Sequence, residues 1–74
     1  MRYTIERKAI VETVARRMAR SGNYLDFSSI KRRLEERGYL EAKTVFANPW
    51  TQAEINRLCH AALVNREVLQ ALAS

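Results

Sequence analysis

Asn48-Pro49-Trp50-Thr51-Gln52-Ala53-Glu54-Ile55 is the stretch on which the fold turns. Thr51-x-x-Glu54 reads as a capping box, in which the threonine hydroxyl accepts from the Glu54 amide and the carboxylate reaches back to the Thr51 amide. Trp50 before the cap and Ile55 after the first turn read as a hydrophobic staple that buries the single tryptophan. Pro49 disfavours helical geometry at Asn48, so the preceding helix must stop near Ala47. One helix ends here and another starts, which makes the stretch structural and not chemical.

Downstream, Ile55, Leu58, Cys59, Ala62 and Leu63 recur at helical spacing and form one apolar face. The positions Ile55, Leu58, Ala62, Asn65, Leu69 and Leu72 alternate three and four apart, as in a heptad seam. Asn65 has two readings. It is a polar seam residue that sets the register of a dimer, or it caps a separate helix starting at Arg66-Glu67. Val64, Val68, Leu69 and Leu72 give this end more apolar surface than a tail needs, so it folds back on the first helix or serves as a contact.

Upstream, Leu40 to Phe46 reads as a short helix. Thr44, Val45 and Phe46 favour a strand, but no second strand candidate exists to pair with it. Asp26 opens an earlier helix by accepting from Ser28 or Ser29, with Leu25 and Ile30 as a second staple. Phe27, Ile30 and Leu34 form its buried stripe. Lys31 with Glu35 and Arg32 with Glu36 are expected i,i+4 pairs. Gly38 closes it, and Tyr39 packs back. Asn23-Tyr24-Leu25 reads as a linker whose tyrosine and leucine tuck onto the core. The first helix is expected from Thr4 to Ser21, with Ile10, Val11, Val14, Ala15 and Met18 as its stripe and Ile5 extending it. Thr4 caps it, and Glu6 sits where the dipole favours an acid. Gly22 ends it. The expected fold is all-α: one domain, residues 1–74, a bundle of four to five short helices.

At 74 residues the chain is one small domain of marginal stability, in need of a well-packed core, a partner or a dimer. Its 47% apolar composition is too high for disorder. A lone cysteine, Cys59, excludes an intramolecular disulfide and a thiolate metal cluster within one chain, and fits a reducing cytoplasm. No apolar run approaches the roughly 18 residues of a membrane span. Met1 to Lys8 carries early charge without an apolar core behind it, so it does not read as a secretory signal.

Catalytic equipment is sparse. His60 adjoins Cys59, and neighbours on a helix point about 100° apart, so the two cannot act together as nucleophile and base. Cys59 reads as core and His60 as surface. Glu35, Glu36, Glu41 and Glu54 all have pairing or capping roles. There is no phosphate-binding glycine loop and no metal-ligand spacing, and a chain this short struggles to enclose a pocket of about 300 Å³. The expectation is a protein that is no enzyme and takes no cofactor, metal or small-molecule substrate.

Two binding readings remain. The first is a docking module that acts through Leu58, Ala62, Asn65, Leu69 and Leu72, on a protein partner or on a second copy. The second follows from the net charge of +5. Arg16, Arg17, Arg20, Lys31, Arg32, Arg33, Arg37 and Lys43 would contact nucleic-acid phosphates, provided they share a face free of acids. Arg16, Arg17 and Arg20 also have a local reason to sit where they do, since cations suit a helix C-terminus. Tyr24 reads as core more than as a base-stacking platform. A helix-turn-helix fails in both registers. With Gly38 as the turn, Leu34 stands where a small residue is needed and Thr44 where a buried aliphatic is needed. With Gly22, Met18 and Ser28 stand there. A winged helix lacks its hairpin.

Ala19-Arg20-Ser21-Gly22-Asn23-Tyr24 with Asp26, then Gly38-Tyr39-Leu40-Glu41-Ala42, then Glu54-Ile55-Asn56-Arg57-Leu58-Cys59, form a pattern of S-G-x-Y, G-Y-x-E-A and a late Leu-Cys. It resembles short proteobacterial proteins without an assigned activity. The resemblance covers about residues 19–62. It implies a small helical cytoplasmic protein from a bacterium and supplies no site residues.

Overall fold

The computed structural model describes residues 2–73, with side chains from Arg7 onward. Four helices follow in order: α1 Arg2–Arg20, α2 Phe27–Glu36, α3 Ala42–Val45 and α4 Pro49–Ala73. There is no strand among the described residues, and the all-α bundle expected from periodicity is what forms. The α1 start at Arg2 lies ahead of Thr4. The roles of Thr4, Ile5 and Glu6 rest on side chains outside the described ones.

Contacts between distant residues set the directions of the helices. Arg16 meets Glu54 at 3.1 Å, and Gly22, just past α1, accepts from Arg66 at 3.1 Å. Both α1 and α4 therefore advance the same way and lie parallel. Phe27 opens α2 beside Asn56, while Arg7 reaches Glu41 beyond α2's far end, so α2 runs back down between them. The short α3 crosses the base. The parallel pair is staggered: α1 projects below and α4 above. At 1.5 Å per residue this stagger spans about 50 Å, in agreement with the observed long axis of 51 Å.

The core is Val11, Ala15, Met18 and Ala19 of α1, Ile30 and Leu34 of α2, Ala42 and Val45 of α3 with Phe46, and Ile55 and Cys59 of α4. Phe27 is half-buried and stacks on Phe46 with centroids 5.9 Å apart. Asp26 caps α2 by accepting from the Ser29 amide at 3.0 Å. Asn56 of α4 adds a second cap to α2 by accepting from the Phe27 amide at 2.8 Å. At the other end Tyr39 donates to the Leu34 carbonyl and Gly38 to that of Glu35, the paired bonds of a Schellman ending. Gly38 takes φ +89° there and Gly22 takes φ +78° after α1, where side-chain-bearing residues are strained.

Several local expectations are overturned. The helix after the corner starts at Pro49, not Thr51. Asn48 caps it, its side-chain oxygen accepting from the Trp50 amide at 2.9 Å and its carbonyl from Gln52 at 3.1 Å. Proline is preset for the first helical position and asparagine is a stronger cap than threonine, so Asn48-Pro49 wins over the capping box. Glu54 is then free to pair with Arg16. The staple fails with the box: Ile55 is buried, but Trp50 is 84% exposed. Leu25 is exposed too, so the second staple does not form, although Tyr24 does pack on the core. Ile10 lies largely outside the α1 stripe and Ala19 replaces it. The second predicted pair on α2 also shifts: Glu36 takes Arg33 at 3.5 Å instead of Arg32, while Lys31–Glu35 forms at 3.8 Å. Asn65 starts no new helix, because α4 runs unbroken through it.

Glu41 gives the fold a pH signature. Its carboxylate accepts from Arg7 at 3.0 Å, and this bond, helped by a backbone amide, holds its pKa below the usual carboxylate value. A carboxyl with a lower pKa in the folded state than in the unfolded chain adds stability above the unfolded value, and that stability fades as pH falls through the folded one. Thermal melts between pH 7 and pH 3 are expected to show a decline in Tm that is smaller in Glu41→Gln.

Candidate functional site

Helix α4 is 25 residues long, and its two halves differ. Ile55 and Cys59 are buried, and Leu58 is half-buried against the core, as one amphipathic face requires. From Val64 to Ala73 every residue is exposed. Arg66 marks the edge of support. Its guanidinium bonds the Gly22 carbonyl and approaches the Asn23 side chain at 3.5 Å, and beyond it α1 and α2 have ended. The remaining turns project past the bundle. Between Leu58 and Ala73 only Arg66 and Glu67 carry formal charge. Val68 is half exposed, Leu69 is 65% exposed and Leu72 is 79% exposed.

The five positions expected to dock a partner are therefore divided. Leu58 packs on the core and Ala62 is half-buried beside it, so both serve the fold. Asn65, Leu69 and Leu72 stand clear. Sequence periodicity joined all five because a heptad seam continues through the edge of the bundle, and only the end of α1 shows where internal support stops. Trp50, expected in a buried staple, is exposed instead. It lies at the base of α4 on the outer side, and the staple reading concealed it. Tryptophan is among the residue types enriched at interface hot spots.

Of the eight basic positions, Arg16, Lys31 and Arg33 are paired with acids. Arg16 lies between Glu54 at 3.1 Å and Glu12 at 3.9 Å, Lys31 is paired with Glu35, and Arg33 with Glu36. Arg17, Arg20, Arg32, Arg37 and Lys43 are exposed. Glu35 and Glu36 thus interleave with the α2 cations, which weakens the phosphate potential of that helix.

A groove of about 470 Å³ runs over the Phe27–Phe46 stack, rimmed by Lys31, Arg32 and Glu35 and open to solvent. No cluster of three or more His, Cys, Asp or Glu side chains that could hold a metal occurs among the described residues. Among the described residues no helix is long and apolar enough to cross a membrane. Cys59 is buried and His60 exposed, on different sides of α4. Burial pushes the Cys59 thiol up from its ordinary value, with the nearby Asp26 charge adding to the effect. A raised, buried thiol is a poor nucleophile.

No protein family, curated protein or solved structure matches this chain.

Proposed function

We propose that this chain is a non-enzymatic interaction module that docks through the uncovered part of α4. The observation that carries the reading is the run past Arg66, where Val68, Leu69 and Leu72 are exposed beyond the contact of Arg66 with the end of α1. A regular helix with apolar anchors at three- and four-residue spacing suits an apolar groove or another helix. Asn65 in the same face gives a partner a polar contact that fixes register.

Because residues 67–73 are all exposed, removing residues 67–74 is expected to change the unfolding free energy by no more than about 0.5 kcal/mol, the usual scale for surface changes. Urea unfolding followed by circular dichroism checks this. The functional test is capture from native extract, with and without nuclease, by the native chain and by Leu69→Glu/Leu72→Glu. The expected result is bound protein that survives nuclease with the native chain and is lost with the variant. Captured material that disappears with nuclease and is indifferent to the variant overturns the reading in favour of phosphate contacts through the exposed arginines.

A further inference from the structure

The outer face of α4 is longer than its overhang. Trp50 and Leu72 are 22 residues apart, which at 100° per residue puts them within about 40° of each other around the helix, and about 33 Å apart along it. Both are among the most exposed apolar residues, at 84% and 79%. Ala61 is exposed, lies on the same side, and is eleven residues from each. The face therefore has large apolar groups at its two ends and a small residue at its midpoint.

We infer that this face pairs with a second copy of the chain, antiparallel, around a two-fold axis at Ala61; the inference rests on the docking role proposed for α4. In that arrangement Trp50 covers Leu72 of the partner subunit, and symmetry repeats the contact at the other end of the helix pair. Ala61 at the crossing lets the helices approach at the short end of the usual 8–10 Å.

Charge selects the direction. The face carries Glu54 and Arg57. A parallel pair would set Arg57 against its own copy, a like-charge opposition that disfavours association. The antiparallel pair sets Arg57 against Asn65 of the partner subunit, whose amide oxygen can accept from it. Glu54 meets Val68 of the partner subunit with its charge already held by Arg16 at 3.1 Å.

Area is sufficient. A tryptophan buries about 150–250 Å². With Leu72, Val64 and Val68, each copy reaches roughly the 600 Å² per partner at which stable interfaces begin.

The native chain carries its own reporter, since Trp50 is its single tryptophan. Sedimentation between about 1 µM and 1 mM is expected to show a monomer–dimer equilibrium, the usual range for small interfaces. Over the same range Trp50 emission shifts to the blue and becomes protected from acrylamide. Ala61→Cys is expected to form a disulfide-linked dimer on mild oxidation and Leu72→Cys is not, because only the first lies on the axis; native Cys59 is buried and stays reduced. Trp50→Ala weakens dimerisation at least tenfold without loss of helicity. Cross-linking of Leu72→Cys to itself overturns the antiparallel register. A monomer throughout, with Trp50 fully quenchable, overturns self-pairing. If Leu69→Glu/Leu72→Glu still abolishes capture from extract in that case, the docking role stands with another occupant; if it does not, both readings fall.

Discussion

Leu34→Ala is expected to lower the unfolding free energy by about 2–5 kcal/mol, the range for truncating a buried leucine. Leu34 is fully buried in α2 and belongs to the cluster shared by all four helices. A domain of this length has only about 4–11 kcal/mol to lose at the common 0.05–0.15 kcal/mol per residue. The substitution therefore leaves a substantial unfolded population at 37 °C. Its carbonyl also accepts the bond that ends α2, but that bond comes from backbone and survives the change. Leu34→Met, which nearly conserves volume, is expected to cost less than about 1.5 kcal/mol. Chemical denaturation of both variants measures the difference, and equal losses would show that Leu34 does not act through packing.

Cys59 gives the second large effect. It is fully buried in α4 and burial pushes its thiol up. A thiol-directed reagent must wait for the chain to open, so alkylation of the native protein is expected to be at least about a thousandfold slower than in urea, following the population of the open state. Alkaline pH works against the fold through the same group. A thiol whose pKa is higher in the folded state stays protonated there while the unfolded chain ionises, so its contribution is intact below the unfolded pKa and is lost as pH rises through the folded one. Stability should therefore fall above pH 9, and Cys59→Ala should flatten that fall. Alkylation at the denatured rate in native buffer would mean that the α1–α4 contact opens freely.

What was legible in the sequence was periodicity. The stripes of α1, α2 and the first half of α4 recur at three and four residues, and burial follows them at Val11, Ile30, Leu34 and Ile55. Asp26, Gly22 and Gly38 were readable because each acts within a few residues of itself. The errors cluster where two local signals compete or where the partner is distant. Asn48-Pro49 and Thr51-Glu54 both offer a helix start, and the stronger cap decides. Asn56, which caps α2 from 29 residues away, leaves no local trace. The candidate site divides in the same way. Leu69 and Leu72 were visible as surplus apolar residues, whereas the exposure of Trp50 depended on which residue capped α4.

The parallel run of α1 and α4 has a consequence for how the chain reaches its native state. Helices joined by a tight turn can zip together from neighbouring residues, but parallel ones cannot. Their first contacts close loops of 38 residues at Arg16–Glu54 and 44 at Arg66–Gly22. That closure entropy is spent before the pair returns any packing energy. Neither end of the chain holds a folding unit of its own: α1 without α4 lacks the wall provided by Ile55 and Cys59, and α2 without α4 lacks one of its caps. Folding is then all-or-none and slower than for an up-down bundle of equal length, and a cut between α3 and α4 yields two inert fragments that recover the fold only on mixing.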